Sequence, residues 1–128
     1  MSTQGDEGSR NRLPLRMSDL HEAFLAPHGT RKRIGLEVEA GVLDESTGLA
    51  APYAGPHGMA ALLHQVLREW GGSPQWAGDV LTGVHLPDGA KLTLEHGGQL
   101  EYSPPPADDL VTLVTAMRVT REALATLA

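Results

Sequence analysis

Four glutamates stand at spacings that could do chemistry together. Glu37 and Glu39 lie two residues apart in RIGLEVEAGVL, and Glu95 and Glu101 lie six apart in LTLEHGGQLEYS. On a strand, side chains at i and i+2 share one face, about 6.5–7 Å apart. Carboxylates held that close repel unless solvent or a cation relieves them. Magnesium, a hard cation that takes oxygen ligands, would do so. A solvated outer face of a half-buried strand accounts for Glu37 and Glu39 equally well, and on spacing alone it is the commoner arrangement. The second pair admits two geometries. In one, the strand continues through a bulge at Gly97-Gly98, which bends the backbone and can change which side Glu95 and Glu101 face. Otherwise His96-Gly97-Gly98 is the turn of a hairpin with one glutamate on each arm.

Gln99 has a side-chain amide that could donate to a substrate carboxylate, and Arg33 could meet an anion; for both, a solvated surface group is the commoner arrangement. The six histidines (His21, His28, His57, His64, His85 and His96) lack the paired spacing of a zinc site, and no HExxH occurs. There is no GxxxxGK[ST] phosphate loop and no GxSxG elbow. Any ATP bound here is held through metal and sheet. The absence of cysteine rules out a disulfide, a thiolate zinc site and a cysteine nucleophile within this chain.

The elements that must position these residues follow from periodicity. In residues 33–43, Ile34, Leu36, Val38, Ala40 and Val42 alternate with Arg33, Gly35, Glu37, Glu39 and Gly41, which predicts one long strand. Upstream, SDLHEAFLA predicts a short helix capped by Ser18, with Pro27 past its end and a turn at His28-Gly29-Thr30. Residues 1–12 are polar and read as a disordered tail. A Gly- and Pro-rich loop follows the strand. Met59, Leu62, Leu63, Val66, Leu67 and Trp70 then keep helical spacing, and Gly71-Gly72 ends that helix. After a linker, DVLTGVHL and AKLTLEH read as two strands joined at Pro87-Asp88-Gly89. The triple proline 104–106 stops the strand that carries Glu101. Asp108 and Asp109 suit the start of a last helix, with Leu110, Leu113, Val114, Met117, Leu124 and Leu127 as its apolar stripe. That helical pattern still runs at Ala128, which reads evenly as a missing remainder or as a fraying terminal helix. The fold class expected is α+β, a short antiparallel or mixed sheet with helices on one face.

The totals bound the rest. At 128 residues the chain makes about one small domain. A net charge of −6 argues against general nucleic-acid binding, which needs a basic face. Aromatics make up only 4%, so the core is expected from Leu, Val, Ala and Met. No apolar run approaches the roughly 20 residues of a membrane span, and the polar start does not resemble a signal peptide. The expected location is the cytoplasm, with neither nucleic acid nor membrane as a partner.

Taken together, RIGLEVEAGVL and LTLEHGGQLEYSPPP resemble the glutamate–cysteine ligase family of the plant and actinobacterial type. There the corresponding segments take the forms IGxExE and SLEPGGQxELS. PLRMSDLHEAF resembles the lead-in helix of that family, and the order agrees from about residue 14 to residue 127. The second motif is the specific one. This sequence has His96 where the family commonly has Pro, and Tyr102 where it often has Leu.

The resemblance implies a partial glutamine-synthetase-like antiparallel sheet. It also implies ATP-dependent phosphorylation of glutamate followed by attack of the cysteine amine, giving γ-glutamylcysteine for ergothioneine or glutathione synthesis. By motif, Glu37, Glu39, Glu95 and Glu101 would hold Mg2+, and Glu37 and Glu39 would also serve ATP. Gln99 and Arg33 would be candidates for substrate contact. Family members are several times longer, so residues 13–128 would be the amino-terminal part of a catalytic domain, incomplete and inactive without a carboxy-terminal part. Two other readings stand beside this one: a truncated relative acting as a binding or dimerisation module, and another carboxylate–amine ligase of the same fold.

Overall fold

A computed structural model describes residues 14, 16–24 and 32–128. The expected polar tail over 1–12, Pro27 and the turn at His28-Gly29-Thr30 lie outside the described residues. The chain divides into two compact units, Met1–Arg31 and Lys32–Ala128.

In the first unit, helix α1 spans Met17–Phe24. Its start differs from the expected Ser18 cap. The backbone N–H of Arg16 donates to Asp19 Oδ2 at 2.8 Å, and Asp19 N–H donates to Arg16 O at 3.0 Å. Asp19 therefore reaches back over the first turn, as the third helical residue does in a capping box. Ser18 lies inside the helix, its Oγ 3.4 Å from Asp19 Oδ1.

The second unit is α+β, as expected. Strand β1 (Val38–Gly41) is followed by helix α2 (Met59–Trp70). Strands β2 (Ser73–Ala77), β3 (Val80–His85), β4 (Lys91–Leu94) and β5 (Gln99–Ser103) come next, and helix α3 (Leu110–Leu127) closes the order. The five strands form one open sheet in the order β1-β5-β4-β3-β2, every neighbour antiparallel.

Residues opposite each other in a ladder point to the same side of the sheet. Val38, Tyr102, Leu92 and Val84 stand in one such row. On that side Leu81, Val84, Leu92, Leu100 and Tyr102 are buried together with Met59, Leu62, Leu63 and Val66 of α2. Leu81 and Val84 are three apart, yet both are buried. The register shows why: Gln75 pairs with Gly83 and Trp76 with Leu81, so β3 takes two steps where β2 takes one. This bulge resets the alternation.

Three expectations are corrected here. The long strand over 33–43 is paired as a ladder only at Val38–Gly41, with isolated bridges at Ile34↔Ala107 and Leu43↔Ala50. Four steps separate Ile34 from Val38, but five separate Ala107 from Tyr102. The mismatch falls on the prolines 104–106, which have no N–H to give the ladder. The linker before β3 is itself edge strand β2. Pro74 hid it, although an edge strand tolerates proline. On α3, Leu113 is buried and Met117, Leu124 and Leu127 pack against the core, whereas Leu110 and Val114 of the expected stripe are exposed.

Candidate functional site

The face of the sheet opposite the helices carries the glutamates. Glu39 and Glu101 are direct cross-strand partners in the β1–β5 ladder, and Glu101 is also paired with Thr93 across β4–β5. Partners of this kind have Cβ atoms about 4.5–5.5 Å apart. The two motifs, far apart in sequence, are therefore adjacent strands, with one carboxylate from each side by side.

The Glu95–Glu101 segment is a hairpin, so the bulge alternative is set aside. Glu95 N–H donates to Gln99 O at 2.8 Å, and Gly98 N–H donates to Glu95 O at 3.1 Å. Gly97 and Gly98 have φ of 91° and 82°, which side chains bearing a Cβ rarely adopt. Alternation from the Leu94↔Leu100 pair puts Glu95, Gln99 and Glu101 on the open side. A diagonal neighbour on one face lies about 7–8 Å away, which is the relation of Glu95 to Glu101. The two departures from the family forms also find places. His96 is the second residue of this turn, a position that favours Pro. Tyr102 faces the core, so Leu or Tyr there is a matter of packing.

Glu101 is the most enclosed by polar neighbours. Ser103 Oγ and Thr93 Oγ1 both donate to its Oε1, at 3.0 and 3.3 Å. Glu37 and Glu39 are exposed, with Glu37 one step before the first paired residue of β1. None of the four glutamates is ion-paired with a basic side chain among the described residues. Among the described residues, no three acidic or histidine side chains converge closely enough to hold a metal ion. Carboxylate oxygens are the donor type that a hard cation takes, but these four are spread along the face and do not close around one point.

Gln99 sits at the start of β5 opposite Gly41, on the same side as the glutamates. Arg33 does not join them: its guanidinium donates to the carbonyl of Pro106 beside the Ile34↔Ala107 bridge. Thr93 and Ser103 were not singled out from sequence. Ser103 was legible, two residues from Glu101 on the same strand face; Thr93 required the register.

Other polar features do structural work. Asp44 Oδ1 accepts from the Oγ and N–H of Ser46 at 2.6 and 3.0 Å, and from the N–H and Oγ1 of Thr47 at 2.9 and 3.0 Å. These bonds, that from the Ser46 hydroxyl foremost, hold its carboxyl below the usual range. Asp109 caps α3, accepting from Thr112 N–H at 2.8 Å, and its carboxyl is lowered chiefly by that bond. His64 stacks obliquely on Trp76, ring centroids 6.3 Å apart. A cavity of about 730 Å³ lies between the 42–58 segment, α2 and the end of α3, and includes none of the four glutamates.

An open antiparallel α+β sheet with helices on one side and carboxylates on the other is the class of structure defined here. The family model described as glutamate-cysteine ligase family 2 (GCS2) matches residues 33–128. The chain belongs to this family, a family of ligase-type enzymes. Comparison with curated proteins and with solved structures gives no significant match. No helix among the described residues is long and apolar enough to cross a membrane.

Proposed function

We propose that residues 13–128 are the amino-terminal part of an ATP-dependent glutamate–cysteine ligase, which forms γ-glutamylcysteine by way of γ-glutamyl phosphate. The observation that carries this reading is the register of Glu39 against Glu101. It brings the two motif strands together and lines their carboxylates up on the uncovered face. Membership of the glutamate-cysteine ligase family supports the reaction class.

In this reading Glu39 and Glu101, with Glu95 diagonal to Glu101 and Glu37 beside them, would hold Mg2+ against the phosphates of ATP. When bound, the cation would screen phosphate charge during transfer. The chain's own part is to keep the carboxylates together on a rigid ladder and to leave that face free for substrates. Gln99 is the group on this face suited to a substrate carboxylate. Arg33 is kept only as an anion contact that must first leave Pro106. The remaining ligands and the glutamate and cysteine pockets would come from a carboxy-terminal part, and the location would be the cytoplasm.

Isothermal titration of magnesium–ATP into the wild type, Glu95→Gln and Glu101→Gln tests the assignment. The expected result is measurable heat for the wild type and at least tenfold weaker binding for both variants. Equal heats in all three would sink the carboxylate site.

A further inference from the structure

We infer that β1 is a strap that opens by itself, gated by the repulsion between Glu39 and Glu101: charge on both favours opening, and screening or removing that charge favours closure. No ligand is needed for this, so it stands apart from the reading just proposed. β1 is an edge strand with β5 as its one neighbour in the sheet, and only Val38–Gly41 are laddered. Val38 is half-buried and Glu39, Ala40 and Gly41 are exposed. β3, β4 and β5 each contribute to the buried core, whereas β1 contributes nothing to it. Little apolar area resists its departure, and segments of that kind open locally without unfolding the rest.

Both ends of the strap are tied. Ile34 and Ala107 exchange backbone hydrogen bonds at 2.7 and 3.0 Å, and the Arg33 guanidinium donates to the Pro106 carbonyl. At the far end Val42 packs against the core, and its carbonyl accepts from Ala51 N–H at 2.8 Å. Residues 35–37, between the first tie and the ladder, make no backbone hydrogen bond among the described residues. The middle can therefore bow while the ends hold. The charges push the same way. Glu39 stands directly opposite Glu101, with Glu37 two residues before it and Glu95 diagonal to Glu101. Lys91 on β4 is also diagonal to Glu101, and it is ion-paired to none of the four. Like charges directly opposite destabilise a strand pair. The open face thus has two states, and whatever neutralises its carboxylates shifts the balance toward the closed one.

Native-state hydrogen exchange, read amide by amide by NMR, tests the strap in metal-free buffer at about 0.1 M and about 1 M NaCl. The proteins are the wild type, Glu39→Gln and Glu39→Lys, both changes falling at an exposed edge position. The amides of β4 serve as the internal reference for the intact sheet. The β1 amides should exchange at least about tenfold faster than those of β4, through an opening that does not depend on denaturant. In the wild type, β1 protection relative to β4 should rise about 1.4–5-fold from low to high salt. Glu39→Gln should give a similar rise at low salt and lose most of the salt response. Glu39→Lys puts opposite charges face to face, so its β1 protection should fall as salt rises. Exchange of β1 and β4 through one common, denaturant-dependent opening overturns the strap, as does an absence of β1 protection in all three proteins. A salt response of the same sign in the wild type and Glu39→Lys overturns the charge gate.

Discussion

Glu39 and Glu101 face each other across the β1–β5 ladder with no basic side chain paired to either among the described residues. Like charges directly opposite destabilise a sheet, whereas a cation between them turns the same geometry into a binding site. The ladder thus keeps in place a repulsion that solvent and salt screen and that a bound cation would relieve further. In metal-free buffer, Glu39→Gln should raise the unfolding free energy by about 0.2–1 kcal/mol. The gain should shrink as salt rises, since screening shortens from about 10 Å at 0.1 M to about 3 Å at 1 M. Urea denaturation at the two salt concentrations checks this. A variant less stable than wild type at low salt would contradict the like-charge account.

The hairpin turn offers a cleaner test, because it involves no ligand. His96 occupies the second position of the turn closed by Gly98 N–H to Glu95 O, and its own N–H makes no backbone bond outside the strands. Glu95 before it is bonded to Gln99 across the hairpin, an extended setting that a following proline accepts. His96→Pro should therefore stabilise by about 0.4–1 kcal/mol through the unfolded chain. Gly97→Ala meets no neighbouring atom but must keep φ near 91°, so it should cost about 1–2 kcal/mol. Thermal melts of the two variants should move in opposite directions.

How much of this was legible in the sequence depended on the range of the contacts. Helix α2 was readable because Met59, Leu62, Leu63 and Val66 repeat at the period of one helix face and all four are buried. The β3–β4 turn was readable because Pro87-Asp88-Gly89 carries its own local chemistry, with Asp88 Oδ1 accepting from Ala90 N–H at 2.9 Å. β2 was missed because Pro74 argues against a central strand, and nothing local says that a strand lies at an edge. The site was legible only in halves. Spacing could put Glu37 with Glu39, but the pairing of Val38 with Tyr102 joins segments distant in sequence, and no local pattern encodes that register. Gly97-Gly98 suits a bulge and a turn alike, so the hairpin stayed undecided until its hydrogen bonds were seen.

The core and the outer side of α3 should respond very differently to truncation. Leu92 is fully buried in the middle strand of the sheet, with Val84 and Tyr102 beside it in register. Leu92→Ala removes packed methyl groups from a site that cannot easily collapse and should cost about 2–5 kcal/mol. Val111 on α3 is 74% exposed. Val111→Ala should stay within about 0.5 kcal/mol of wild type, as surface changes do. Chemical denaturation distinguishes the two, and a large loss at Val111 would mean that this face is covered in solution.

Acid should loosen α3 through its cap. Asp109 accepts from Thr112 N–H at 2.8 Å and from Thr112 Oγ1 at 2.7 Å, and these bonds hold its carboxyl below the usual value. The sign follows from linkage. A group whose folded value is depressed contributes stability that is fully present above the unfolded value, near pH 4, and is lost as pH falls through the lower folded value. Asp44 shares this behaviour, its carboxyl lowered first by Ser46 and then by Thr47. Asp109→Asn keeps an oxygen for Thr112 N–H but cannot titrate, while Asp109→Ala loses the acceptor. The urea midpoint of the wild type should exceed that of Asp109→Asn at pH 7 and converge on it as the pH is lowered below about 4. Asp109→Ala should lie below both at pH 7. A gap between wild type and Asp109→Asn that is constant with pH would show that the charge on Asp109 adds nothing to the cap.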